Sequence, residues 1–252
     1  KIEGFIGNYK TTVAAKGAEE TVEHGVVIVA TGAYELETTE YLLGSSERAV
    51  TQRELERLIA GRDAKVLGAK SVVMIQCVGS RIPERPYCSR YCCSEAIKNA
   101  LKLKEADPDR EVTVIYRDIR TFGLKEDYYK RAREANVRFV RYDEERKPAV
   151  KVAGDGVVVT VFDPILNEAV EIKADLLALS VGTVPNPINA EIGKMLKVPT
   201  NQDGFFLEAH VKLRPVDFAT DGVFMCGMAH APKFSDEAIT QAHAAVSRAC
   251  TI

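Results

Sequence analysis

An α/β fold with two dinucleotide-binding-type (Rossmann-like) domains is predicted by three observations. Three apolar runs, GVVIVATG at 25–32, DLLALSVG at 175–182 and GVFMCG at 222–227, read as buried strands that each end in glycine. Glycine at the C-terminal end of a strand lets a ligand approach the backbone, and in open α/β sheets that edge is where ligands bind. Between the first two runs lie an apolar strand at 71–75 (SVVMI), a helix at 94–106 (SEAIKNALKLKEA) and a strand at 112–116 (VTVIY), the order of a βαβ unit. The chain has 252 residues, 46% of them hydrophobic, which suffices for one or two full cores.

Taken in order, residues 1–25 hold short extended candidates at 10–13 and 21–22, followed by the first glycine-ended strand. After the βαβ unit come a second helix at 125–135 and a hairpin turning at Gly154-Asp155-Gly156, with arms at 150–153 and 157–162. The strand at 175–182 runs into Thr183-Val184-Pro185-Asn186, and the strand at 222–227 opens onto a helix at 236–249. The middle block therefore reads as an inserted domain at 66–181, and residues 1–65 with 182–252 as a discontinuous second domain. No fixed-period repeat or low-complexity tract interrupts this order.

A net charge of −2 without a long basic run gives no electrostatic footprint for nucleic acid. No stretch approaches the roughly 18 apolar residues that span a bilayer, and KIEGFIGNYK lacks the apolar core of a signal peptide, so a cytoplasmic location is expected.

The turn where a dinucleotide fold carries G-x-G-x-x-G reads instead QCVGSRIPERPYCSRYCC, residues 76–93, with Gly79 as its one glycine. Four of the six cysteines fall here, Cys77, Cys88, Cys92 and Cys93, spaced C-x10-C-x3-C-C. In a cytosolic chain such clustering suggests metal or redox chemistry more than structural disulfides. The spacing matches neither ferredoxin runs nor paired zinc motifs, and buried thiols, disulfides, zinc and an iron–sulfur cluster all stay open. Adjacent cysteines point about 100° apart on a regular helix, so Cys92 and Cys93 share a ligand only at an irregular turn or a helix start, which Ser94 supplies. That positive helix end, with Arg81, Arg85 and Arg90, favours an anionic centre. NAD(P)H binding is not expected in a turn so full of side chains. Elsewhere, His243 reads as packed in an alanine-rich helix, and Cys226 and Cys250 as small buried hydrophobes.

Together VVIVATGA at 26–33, LLALSVGTVPN at 176–186 and DGVFMCGMAHAP at 221–232 resemble the FAD/NAD(P)-linked flavoprotein disulfide reductases. Within that group CVGSR at 77–81, YCSRYCC at 87–93, FGLKEDYY at 122–129 and the run at 203–242 resemble the A subunits of heterodisulfide reductases. These are flavin and iron–sulfur subunits of methanogens and related anaerobes. The resemblance covers nearly the whole chain, without that family's N-terminal FAD fingerprint and C-terminal ferredoxin segment, so an internal fragment or a short relative is expected.

The resemblance implies a [4Fe-4S] cluster on Cys77, Cys88, Cys92 and Cys93, and FAD near Gly32, Gly227, Met228, His230, Lys233 and Ser235. This chain alone is not expected to retain FAD. It further implies electron transfer toward the CoM-S-S-CoB heterodisulfide and ferredoxin. The implied partners are other reductase subunits and a hydrogenase or similar donor, in a complex that includes a homo-oligomer. Two alternatives are the flavin subunit of a quinone-interacting complex of sulfate metabolism and a non-catalytic metal-binding module.

Overall fold

The computed structural model describes every residue except Lys16. The chain divides into two compact units, one formed by Leu36–Gly182 and the other by Lys1–Glu35 with Thr183–Ile252.

The continuous unit is built on a five-stranded, wholly parallel sheet in the order Ala49–Thr51, Leu176–Val181, Ser71–Val78, Glu111–Tyr116, Arg138–Arg141. Parallel strands covered on both faces need apolar residues at successive positions, and every residue from Val72 to Val78 is buried. Alternate side chains go to opposite faces. Val72 and Met74 pack under the helices Gln52–Ala60, Cys92–Ala106 and Glu126–Glu134 through Leu55, Ile97, Ala100 and Ala132. Val73 and Ile75 face an antiparallel meander, Ala149–Ala153, Gly156–Asp163 and Glu168–Ala174, through Val157, Val159 and Val161.

The discontinuous unit pairs Val27–Val29 with Val223–Met225 in parallel, and Ala33–Glu35 with Thr183–Pro185 antiparallel. A three-stranded antiparallel meander spans Ile2–Phe5, Asn8–Ala15 and Ala18–His24. Its core joins Tyr9, Val29, Phe206, Phe218 and Met225, with the two phenylalanine rings edge-to-face at 5.5 Å. The helices are Asn189–Leu196 and Ser235–Ala249.

The sequence places the first domain junction at 65/66, whereas the compact units meet at 35/36. The cause is a non-local pairing: Ala49–Thr51 adds to the parallel sheet beside Leu176–Val181, and the helix after it packs on that sheet. Among the described residues, no helix is long and apolar enough to cross a membrane.

Candidate functional site

Each unit gathers chemistry at the C-terminal ends of parallel strands. In the continuous unit, Ser71–Val78 delivers Cys77 directly into a turn whose backbone is repeatedly left-handed: Cys77 at φ 61°, Gly79 at 66°, Arg81 at 59° and Arg90 at 62°. Side-chain-bearing residues in that region are uncommon, and clusters of them accompany functional sites. The helix begins at Cys92, two residues before the predicted Ser94, so both adjacent cysteines sit in its first turn. Gly182 makes room for the turn, since a Cβ there would stand 3.1 Å from the Gly79 carbonyl oxygen.

All six cysteines are free thiols. Cys77, Cys92 and Cys93 are buried and Cys88 half-buried, and the four sulfurs lie close enough to shift one another's ionisation. Burial pushes the Cys77 thiol up to about 11. The hydrogen bond between Cys92 and Cys93 raises Cys92 well above the usual thiol range and lowers Cys93 to about 7. Cys93 also accepts the backbone N–H of Arg120, while its Sγ lies 3.6 Å from the Asp118 carbonyl. The backbone N–H of Arg90 donates to Cys88 Sγ at 3.3 Å. Ser94 Oγ is buried without a hydrogen-bond partner. A single zinc ion draws four sulfurs to about 2.3 Å from one point; among the described residues no three Cys, His, Asp or Glu side chains are gathered in that way. The thiols are therefore mutually coupled without forming a tight single-ion cage.

Of the arginines named from sequence, Arg81 donates to Cys77 Sγ at 3.9 Å. Arg85 turns to the Gly79 carbonyl at 2.6 Å. Sequence reasoning missed Arg117, Asp118 and Arg120, which leave the end of Glu111–Tyr116 and border the thiols. The rule that ligands bind beyond the C-terminal ends of parallel strands points to them.

In the discontinuous unit, Gly32 and Gly227 follow the paired strands Val27–Val29 and Val223–Met225, at φ 70° and 69°. A Cβ at either would meet nothing within 4 Å. Met228 lies in the short turn after Gly227. His230 Nε2 bonds Glu208 Oε2 at 2.8 Å, and its Nδ1 faces Lys233 Nζ at 3.3 Å and Gln241 Nε2 at 2.9 Å. Donors at Nδ1 and a carboxylate at Nε2 fit the neutral imidazole with its proton on Nε2. Burial indeed holds His230 below its ordinary value. Burial pushes the Glu208 carboxyl up, but hydrogen bonds from its own backbone and from His230 outweigh this and leave it below the usual range.

Lys233 is buried to 9% exposure, and Gln241 Oε1 is buried with no hydrogen-bond partner. Ser235 opens its helix, but Asp236 and Glu237 occupy the first turn, and Glu237 accepts the Phe234 N–H at 2.9 Å. These carboxylates offset the positive helix end expected there. His243 and Cys250 are exposed, against expectation: His243 falls on the outer face of that helix, and Cys250 lies just past its C-terminal end; Cys226 is buried. Glu208 was assigned no chemistry from sequence and Gln241 was not singled out; neither carries a local motif.

No protein-family model matches the chain. Among curated proteins it is 40% identical over 251 residues to the iron–sulfur A subunit of CoB–CoM heterodisulfide reductase from Methanocaldococcus jannaschii, covering 92% of this chain and 38% of that protein. It is 41% identical over 250 residues to the A subunit of the H(2):CoB-CoM heterodisulfide,ferredoxin reductase from Methanothermobacter marburgensis, covering 92% of this chain and 37% of that protein. The chain thus spans under two-fifths of the length of these relatives. Among solved structures, thioredoxin reductase of T. acidophilum aligns with a TM-score of 0.58 at 17% identity, over 99% of this chain and 71% of that one. The HOCl-induced flavoprotein disulfide reductase RclA of Escherichia coli, in its Cu(II) complex, aligns at 0.59 and 11% identity, over 96% of this chain and 48% of that one. At such identities these two show the fold alone, an α/β fold with Rossmann-like domains.

Proposed function

We propose that this chain, which is similar to heterodisulfide reductase A subunits over the segment it spans, is an electron-transferring oxidoreductase whose continuous unit holds an iron–sulfur cluster and whose discontinuous unit supplies the ring-side part of an FAD site, without retaining FAD by itself. In the continuous unit, Cys77, Cys88, Cys92 and Cys93 ligate a [4Fe-4S] cluster, which supplies one-electron transfer when bound. The observation that carries this is four coupled free thiols in the one turn where a dinucleotide fold presents glycines. A four-iron cluster puts each thiolate on a different iron, so its ligands need not converge on one point. Ser94 Oγ, buried and unpartnered, and the first-turn N–H groups of the helix are donors suited to an anionic cluster.

In the discontinuous unit, Gly32, Gly227 and Met228 leave a bare backbone edge for the flat ring of FAD, which exchanges electron pairs when bound. Lys233 and the neutral His230 orient that ring's polar edge, and Ser235 opens the helix beside it. As in the relatives' names, the acceptor side is the CoB-CoM heterodisulfide and ferredoxin. The chain works in the cytoplasm with other reductase subunits and a hydrogenase or similar donor, in a complex that contains it as a homo-oligomer.

Anaerobic reconstitution with iron and sulfide tests the reading. About four iron and four sulfide per chain are expected. Stoichiometric zinc with no iron overturns it.

A further inference from the structure

Arg81 is held through both its backbone and its side chain. Its backbone is left-handed at φ 59°. Its N–H donates to the Tyr87 carbonyl at 3.2 Å, and its own carbonyl accepts Arg117 Nη1 at 2.7 Å. Arg117 is in turn fixed by Glu144 at 2.7 Å. The Arg81 side chain, 17% exposed, puts Nη2 on Asp118 Oδ2 at 2.6 Å and leaves Nη1 on Cys77 Sγ at 3.9 Å. A rigid, forked cation is thus clamped by a carboxylate on one arm and aimed at a sulfur with the other. The arrangement gives a fixed positive charge next to Cys77, and its neighbour Arg85 does not duplicate it, because that guanidinium serves the Gly79 carbonyl.

We infer that Arg81 is a positioning residue for the redox centre: its guanidinium, locked by Asp118 and Arg117, donates to the Cys77 sulfur and sets the reduction potential of the group that Cys77 holds. This rests on the cluster reading above. The electron added on reduction makes a thiolate-ligated cluster more negative by one charge, so a nearby hydrogen-bonding cation favours the reduced form. No bond is made or broken at Arg81 and no proton leaves it. Removing the cation shifts the equilibrium toward the oxidised cluster by about tenfold, the order by which one charge-assisted hydrogen bond changes an equilibrium. For a one-electron couple that is a midpoint about 59 mV lower.

The test is a dithionite titration, followed by electron paramagnetic resonance, of the reconstituted 252-residue chain and of its Arg81→Gln and Arg81→Lys variants, with iron and sulfide counted in each. The expected result is an unchanged iron content in both variants, a midpoint lower by about 59 mV in Arg81→Gln, and a smaller shift in Arg81→Lys, which keeps the charge without the fork. An unchanged midpoint in Arg81→Gln at full iron content overturns the inference. If Arg81→Gln loses its iron, Arg81→Lys decides: full iron with a lowered midpoint supports the role, and an unchanged midpoint or lost iron shows that Arg81 only holds the turn. A wild-type chain that takes up no iron fails at the first count, which marks failure of the cluster reading itself and removes the inference with it.

Discussion

The two strand edges solve one backbone problem in opposite ways. Both units end parallel strands in left-handed backbone, but the discontinuous unit does so with Gly32 and Gly227, bare toward open space. The continuous unit does so mostly with residues that carry side chains, Cys77, Arg81 and Arg90 beside Gly79. Glycine takes a positive φ at no steric cost, whereas a residue with a Cβ gives up about 1–2 kcal/mol there. An edge that must let a flat organic ring touch the backbone uses glycine. An edge whose side chains are themselves the ligands carries the strain, since a glycine has no sulfur or guanidinium to offer.

The largest expected effect is on the thiol edge. Replacing Cys88 or Cys92 with serine removes bound iron and sulfide altogether, because a hydroxyl is a poor substitute for a soft thiolate. Metal analysis after anaerobic reconstitution reads this directly, and an undiminished iron content in both variants breaks the assignment.

Alanine at the glycines sharpens the comparison. At Gly79 the new Cβ runs into Leu36 Cδ2, so that half-buried side chain must swing aside and a repacking cost joins the backbone strain. At Gly227 nothing stands in the way, and only the strain of about 1–2 kcal/mol remains. Urea unfolding is expected to rank Gly79→Ala as the more destabilised variant, and the reverse order contradicts the description of the two edges.

Much of this was legible in the sequence. The apolar runs at 71–75 and 175–182 announce buried parallel strands because both of their faces are covered, and Gly154-Asp155-Gly156 marks the hairpin. What escaped was non-local or short. The strand Ala49–Thr51 has three residues and gains meaning only beside Leu176–Val181. The helix Gln52–Ala60 was missed although Thr51 and Glu54 carry an N-terminal signature, with the Thr51 side chain accepting the Glu54 N–H. The four cysteines stand out by their crowding. Asp118 and Gln241 join their sites only through folding, from 25 and 11 residues away from Cys93 and His230 respectively.

A smaller effect belongs to the glycine edge. Because His230 sits below its ordinary value when folded, the unfolded chain takes up that proton first as the pH falls below about 6.5. Stability from the neutral imidazole is full above that pH and is lost as the pH falls through the folded value. Glu208 acts in the same direction, below the ordinary carboxylate value of 4.5. His230→Gln is expected to flatten the limb below pH 6.5, by less than about 1.4 kcal/mol per pH unit. An unchanged slope shows that burial and the neighbouring Lys233 do not hold the ring neutral.

The contrast between the edges is tested most directly by counting spins in the dithionite-reduced, reconstituted chain by electron paramagnetic resonance. About one cluster spin per chain is predicted for the wild type and for Gly227→Ala, and none for Cys92→Ala. An equal spin count in Cys92→Ala contradicts the account, because the iron–sulfur centre then lies elsewhere than the turn that bears the thiols.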